Sequence, residues 1–310
     1  VQSAAHRNAK MWIDQNQHFH YGPNAPAAFP IVIYDMNSAG CSSTPSYYSS
    51  ELDNLRAAPG IDGLVDIIES GCAPLADHQA LATEADTFSA PQLNLWSTIS
   101  SDYVGDSYCP AQLAASFADS ASCSSQAGVD QLVRDFAAGL SSMSNLGYYV
   151  AYEPYQNCGA GQPECQSTVY HQYQQIKAAD PFSLTFAAMN PSNLSCCWAP
   201  GVLTDESSWR DDFDIVATDP YGVNSWSQDG TGNYEISPIV ADWTTDALNA
   251  VQRARPVLVI TQFYPGAGVN LFPTQQQMYS AAWTAIVAGA NGLGFWAYGE
   301  QAGGGTLTDG

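Results

Sequence analysis

Eight short apolar runs recur along the chain, and stretches with helical character separate them. Strands that alternate strictly with helices are typical of parallel βαβ units, because two parallel strands need a long crossover between them. Eight strands in this order favour a closed (β/α)₈ TIM barrel over a doubly wound open sheet. The predicted strands are residues 29–34, 63–68, 92–97, 147–152, 183–189, 213–218, 256–261 and 292–298.

The predicted helices fall between these strands, so residues 1–310 are interpreted as a single α/β barrel domain, which leaves open that the chain is part of a longer protein. An eighth helix would either follow residue 310 or be replaced by a helical stretch at residues 4–15. The other predicted helices are residues 49–58, 76–88, 129–145, 167–179, 207–212, 237–253 and 274–288.

The charge balance of the chain narrows the classes of partner that it can bind. It has 30 acidic against 8 basic residues and a formal net charge of −22 at pH 7. This charge repels phosphate backbones and anionic lipid headgroups, so neither nucleic acid nor a membrane surface is expected as a partner. No apolar run reaches the roughly 20 residues of a membrane-spanning helix. Polyanionic sugars are disfavoured as well, since only Lys10 and Lys177 supply ammonium groups.

The eight cysteines are even in number and show neither CxxC pairs nor histidine-flanked metal spacing. A disulfide framework is therefore predicted, which implies secretion into an oxidising compartment. The glycosylation sequon at Asn193 agrees with secretion. Every cysteine follows the carboxyl end of a predicted strand, so neighbouring loops are expected to be stapled together. The expected pairs are Cys41 with Cys72 and Cys109 with Cys123, with Cys158, Cys165, Cys196 and Cys197 pairing among themselves.

A carboxylate follows the fourth predicted strand, in the sequence Tyr152-Glu153-Pro154. In (β/α)₈ barrels, residues at the carboxyl ends of strands form the active site. The arrangement resembles the clan A retaining glycoside hydrolases, in which a glutamate, usually within Asn-Glu-Pro, ends the fourth strand. The resemblance implies that Glu153 is the general acid/base, while Tyr152 departs from the pattern because it replaces the usual asparagine.

The seventh predicted strand ends where that family has its nucleophilic glutamate, and Gln262 occupies the corresponding place. An amide has no anionic oxygen to attack an anomeric carbon, so the two-step retaining reaction would need another carboxylate. Three explanations stay open: an engineered exchange of Glu for Gln, an inverting or otherwise different enzyme, and a barrel that has lost hydrolysis.

Asp219 directly follows the sixth predicted strand and is the best alternative partner for Glu153. Two carboxyl groups about 6.5 to 9.5 Å apart could share an inverting hydrolysis, in which one protonates the leaving oxygen and the other activates water. Glu153, Asp219 and Gln262 are therefore the candidate catalytic residues.

Further acidic and aromatic residues cluster at the predicted strand ends, and this mixture suits a glycan groove. Sugar rings stack their C–H faces on flat aromatics, and their hydroxyls pair with polar groups. Trp296 resembles the aromatic floor at the eighth strand of many clan A barrels. The candidate substrate-binding residues are Asp35, Trp96, Tyr155, Tyr221, Tyr264, Trp296 and Glu300.

Other chemistries find little support. None of the five histidines falls at a predicted strand's carboxyl end, which removes the usual base of a nucleophilic triad and the usual zinc ligands. No metal or cofactor is expected. The sequence predicts a secreted glycoside hydrolase that acts on a neutral polysaccharide. The alternative is a catalytically inactive barrel that binds glycans or builds an extracellular assembly, and self-association is left open.

Overall fold

The computed structural model describes residues 10–36, 64–70, 75–87, 92–99, 125–143, 145–152, 163–189, 211–223, 236–264 and 272–298. Within them lie eight long strands, three short ones and five helices. The short strands are β1 (Met11–Ile13), β2 (Phe19–Tyr21) and β3 (Ala27–Ala28). The long strands are β4 (Ile31–Met36), β5 (Leu64–Ser70), β6 (Gln92–Thr98), β7 (Asn145–Tyr152), β8 (Leu184–Met189), β9 (Ile215–Thr218), β10 (Val257–Gln262) and β11 (Gly292–Tyr298). The helices are α1 (Leu75–Ala85), α2 (Gln126–Leu140), α3 (Pro163–Ala179), α4 (Ile236–Ala250) and α5 (Gln275–Ala288).

The eight long strands are parallel, and each pairs with its neighbours in chain order. β11 also pairs with β4, so the curled sheet returns to its first strand and the pairing forms a closed ring. The doubly wound alternative is therefore wrong, and the fold is of the α/β, TIM-like type. All eight predicted strands are found within two residues of their expected bounds.

Two of the helices predicted between strands need correction. The helix predicted at residues 129–145 ends at Leu140, because Asn145 already begins β7. Residues 211 and 212, predicted to end a short helix, form a turn and a bend before β9. The predicted helix 49–58 and the side chains of all eight cysteines lie outside the described residues; of the cysteines, only the backbone of Cys165 is described, within α3.

Two apolar layers lie on the two faces of the curled sheet, one outside it and one inside it. The outer layer joins strand residues such as Val216 and Val259 to helix residues such as Phe136 and Val240. The inner layer fills the barrel with side chains from at least six of its strands, including Tyr34, which lies on β4. Alternate strand residues point to opposite faces, so β7, β8, β9 and β10 each contribute to both layers.

β7 interrupts this alternation with two irregularities in its pairing. Leu95 and Trp96 on β6 pair with Asn145 and Gly147, which leaves one extra residue, Leu146, on β7. A second shift lies between Tyr149 and Ala151. Bulges of this kind re-aim side chains, and here Leu146 and Tyr149 both join the inner layer.

Gly147 lies at a close approach of β7 to its neighbours. A Cβ atom there would stand 2.1 Å from the carbonyl oxygen of Leu184 and 2.6 Å from Trp96. Only glycine therefore fits this position.

The helix predicted at residues 4–15 is wrong in its described part, residues 10–15. Residues 1–9 lie outside the described part, but Met11–Ile13 form a strand that pairs antiparallel with β2, which in turn pairs with β3. Met11 and Phe19 join the inner layer of the barrel, and the Lys10 ammonium donates to the carbonyl of Asn145 at the start of β7. The small sheet therefore covers the amino end of the barrel, opposite the expected active site.

Asp14 fixes the turn between β1 and β2. Its Oδ1 accepts the backbone N–H groups of Asn16 and His18, and its Oδ2 contacts the rings of His18 at 3.2 Å and His20 at 3.3 Å. Partial burial acts to raise the pKa of Asp14, but these hydrogen bonds outweigh it and lower the pKa to about 2.

We expect Asp14→Asn to destabilise the fold by about 1 kcal/mol near pH 6, since the pairs are partly solvent-screened. A carboxyl whose pKa is depressed on folding stabilises above its unfolded pKa, and that stabilisation disappears as the pH falls through the folded value. The difference between Asp14→Asn and wild type in thermal unfolding should therefore shrink from pH 4 to pH 2. Asp211→Asn, at an exposed ion pair with Arg255, is the control and should show little difference at any pH. A difference for Asp14→Asn that stays constant down to pH 2 would contradict the assignment.

Candidate active site

The carboxyl ends of β9, β10 and β11 lie side by side and hold three of the predicted site residues. Asp219 directly follows β9, Gln262 is the last residue of β10, and Trp296 pairs in register with Gln262 across β10 and β11. These positions are neighbours in the ring because β9 pairs with β10 and β10 pairs with β11.

Other predicted site residues fall outside the described part. Glu153 comes directly after β7 in the chain, and neither it nor Tyr155 or Glu300 is described. Asp35 lies within β4, where it pairs with Glu69 of β5, but its side chain is not described. Their roles in the site stay predictions.

Gln262 is buried, and its amide group is committed to the protein backbone. The side-chain oxygen accepts the N–H of Val223 at 2.8 Å, and the side-chain nitrogen donates to the carbonyl of Val223 at 3.0 Å. The same nitrogen also donates to the carbonyl of Tyr264 at 3.0 Å. One side chain thus binds both backbone groups of Val223 and joins the segment after β9 to the end of β10.

This geometry requires an amide at position 262. A carboxylate there could still accept the Val223 N–H, but its second oxygen would face two carbonyl oxygens and no donor. Sequence reasoning missed this partnership because Val223 contributes only backbone atoms, which no side-chain pattern reveals.

The segment from Asp219 to Val223 begins with a buried carboxyl group and a tight turn. Asp219 is 1% exposed, and the N–H of Tyr221 donates to its carbonyl oxygen at 2.8 Å. The rings of Tyr221 and Tyr264 meet edge to face at 5.2 Å. Tyr221 also packs against the inner layer, so the segment lies over the barrel interior.

Aromatic rings line the barrel below this segment. Trp296 packs against Tyr34 at a centroid distance of 4.9 Å, and Tyr34 in turn contacts Tyr149. Trp296, Tyr221 and Tyr264 are partly exposed, as a sugar platform requires. Trp96, predicted to bind substrate, is instead 1% exposed and packs edge to face on Phe186 at 5.1 Å, which is a core position.

Among the residues described, His, Cys, Asp and Glu side chains form no group of three suited to a metal ion. None of the described helices combines the length and apolarity needed to cross a membrane.

Comparison with known proteins finds matches to the fold of this chain but not to its sequence. No protein-family profile matches the sequence, and no curated protein matches it. Solved structures do match. An exo-β-1,4-mannosidase from Opitutaceae bacterium strain TAV5 has a TM-score of 0.61 at 14% identity, over 93% of this chain and 55% of its own.

Two further matches cover nearly the whole of both chains. The endo-1,4-β-mannanase from Rhizomucor miehei has a TM-score of 0.60 at 12% identity, over 96% of this chain and 95% of its own. The β-1,4-mannanase from the sea hare Aplysia kurodai has a TM-score of 0.57 at 12% identity, over 94% and 93%. The chain shares its fold with these glycoside hydrolases.

Identities of 12–14% speak for the fold alone, so the resemblance to clan A is supported at the level of the fold. The chain spans about half of the Opitutaceae mannosidase, 55% of its length, and 32% of a Bacteroides uniformis β-glucuronidase that has a TM-score of 0.54 at 13% identity. The shared part in those proteins therefore corresponds to one portion of a longer chain.

Proposed function

We propose that this chain is a secreted glycoside hydrolase that acts on a neutral polysaccharide. The observation that carries the proposal is the combination of a glycoside hydrolase fold with a buried Asp219 and partly exposed Tyr221, Tyr264 and Trp296 at the carboxyl ends of adjacent strands. Carboxyl groups beside aromatic platforms are what glycosidic bond cleavage uses.

The net charge supports a neutral substrate. A chain of charge −22 repels an anionic glycan. Two of the described basic side chains also lie near an acidic partner: Lys177 forms an ion pair with Asp214 at 2.8 Å, and Arg255 lies 3.5 Å from Asp211. The solved structures named above include enzymes of β-1,4-mannan, which makes mannan the first neutral glycan to test.

The proposed mechanism is a single displacement. Glu153 protonates the glycosidic oxygen as the bond to the anomeric carbon breaks, and Asp219 takes a proton from the water that attacks that carbon. Gln262 takes no covalent part, because its amide is hydrogen-bonded to Val223 and Tyr264. An inverted anomeric product is therefore expected.

We further propose that the ring of eight strands belongs to a complete (β/α)₈ barrel with eight helices, and that disulfides staple its loops. The disulfides fit the even cysteine count, and they would hold the loops at the mouth of the barrel rigid.

One observation favours a second candidate, a barrel that binds glycans without cleaving them. Gln262 occupies the position of the family's nucleophile, and its surroundings suit an amide. Fold alone does not confer activity.

The test is hydrolysis of purified mannan, glucomannan, xylan and mixed-linkage β-glucan, with polygalacturonate as the anionic control, followed as newly formed reducing ends. We expect cleavage of at least one neutral glycan and none of polygalacturonate. Binding of a neutral glycan without cleavage would establish the second candidate. If the protein neither binds nor cleaves any of them, both candidates fall.

A further inference from the structure

Helix α5 carries an apolar stripe on its outer face. Tyr279, Trp283, Ile286 and Val287 are 59%, 62%, 36% and 85% exposed and follow one another at helical spacing, and we call these four residues the α5 stripe. The opposite face packs on the barrel through the buried Ala281 and Ala285. A contiguous exposed apolar patch of this kind is typical of an interaction site, whereas apolar residues scattered singly over a surface are ordinary.

The α5 stripe is also free of charge. None of the 14 residues of α5 is Asp, Glu, Lys or Arg, in a chain whose net charge is −22. The polar residues of its first turn are glutamines, which can hydrogen-bond at the rim of an interface without adding charge. Interface cores are similarly poor in charged residues and rich in Tyr and Trp.

We propose that the α5 stripe is the interface of a homodimer, in which α5 packs against α5 of a second copy. Two copies of so acidic a chain repel each other over most of their surfaces, and they can approach closely only where that charge is absent. A basic partner protein would instead be attracted to carboxylates, and α5 has none. A symmetric contact between two copies avoids the repulsion and needs no carboxylate, because both copies use the same uncharged patch.

The size of the patch fits a moderate affinity. The four exposed fractions correspond to roughly 450 Å² per copy, about half of the 800 Å² that each partner contributes to a standard interface. The stripe therefore supplies the apolar core of the contact, and the expected dissociation constant is on the order of micromolar.

The experiment is sedimentation velocity of the full chain from about 1 to about 100 µM, where a dimer of this affinity dissociates by mass action. We expect a monomer–dimer equilibrium that strengthens as salt screens the repulsion. Trp283→Glu should raise the dissociation constant at least about tenfold, as expected for an aromatic hot spot. Val287→Glu, at the most exposed position of the stripe, should act in the same direction.

Tyr170→Glu is the matched control, because Tyr170 is a 41% exposed aromatic residue on α3. It should leave the dimer intact. In an isologous contact a central residue lies near its own copy, so mixing the W283E and W283K variants should restore the dimer that each loses alone.

Three results would overturn the proposal. A wild-type chain that stays monomeric at every concentration excludes the homodimer. If Trp283→Glu also lowers the melting temperature of that monomer, another part of the same chain covers the stripe. A dimer that both Trp283→Glu and Val287→Glu leave intact, or that Tyr170→Glu weakens equally, uses a different surface.

Discussion

Replacing Glu153 by glutamine is expected to lower kcat/KM on the best neutral glycan by roughly 10²- to 10⁴-fold. Glutamine keeps the size of the side chain but has no proton to give to the leaving oxygen, so the glycosidic bond would have to break without acid assistance. The melting temperature should stay within about 2 °C of wild type, since the exchange alters no apolar contact. Initial rates of reducing-end formation, measured beside thermal unfolding, give both quantities.

Glu84→Gln is the matched control, because it makes the same chemical change in the last turn of α1, which leads to the amino end of β6. It should leave the rate unchanged. Asp219→Asn should cause a loss of similar size if the two carboxyl groups act as a pair, and the double variant should then be little worse than either single one. An unchanged rate in Glu153→Gln removes Glu153 from the mechanism, whatever the fold.

The fold was largely predictable because the pattern that encodes it is local. Each barrel strand is a short apolar run bounded by helical segments, as in 257–262 (VLVITQ), and chain order alone fixes the order of strands in a ring of parallel βα units. The eight predicted strands were therefore found, while the N-terminal segment was misread. Met11–Ile13 form a strand because Asp14 closes a turn that pairs them with Phe19–Tyr21, and a window of residues 4–15 does not contain that partner strand.

The candidate site was less predictable because its contacts join distant segments through backbone atoms. Trp96 follows the same alternation as a platform residue would, yet the register places it in the inner layer against Phe186. Gln262 was recognised as a departure from the family pattern, but its role depends on Val223, which lies 39 residues earlier in the chain. No alternation or spacing rule predicts a side-chain amide that binds both backbone groups of one residue.

Gln262→Glu is expected to destabilise the fold by about 3–5 kcal/mol near neutral pH, the range for an uncompensated buried charge. Gln262 is 4% exposed, so an introduced carboxylate would lose its hydration and face the carbonyl oxygens of Val223 and Tyr264. Its pKa in the folded state would therefore rise above the unfolded value of about 4.3. Stability relative to wild type should accordingly recover as the pH falls through the folded pKa, because the protonated group can donate to one carbonyl. Denaturant unfolding at pH 5 and pH 8 measures this recovery.

Gln262→Met separates charge from lost hydrogen bonds, since methionine fills a similar volume without polar atoms. It leaves the Val223 N–H without its partner in a buried position, which should cost about 2–3 kcal/mol at both pH values. If Gln262→Glu were instead as stable as wild type at pH 8 and hydrolysed glycans with retention of anomeric configuration, position 262 would be a nucleophile site that an amide has silenced. The amide would then be incidental to the fold, and the single-displacement mechanism would be wrong. A pH-dependent loss in Gln262→Glu beside a pH-independent loss in Gln262→Met identifies the amide as the group that holds the segment from Asp219 to Val223 against β10.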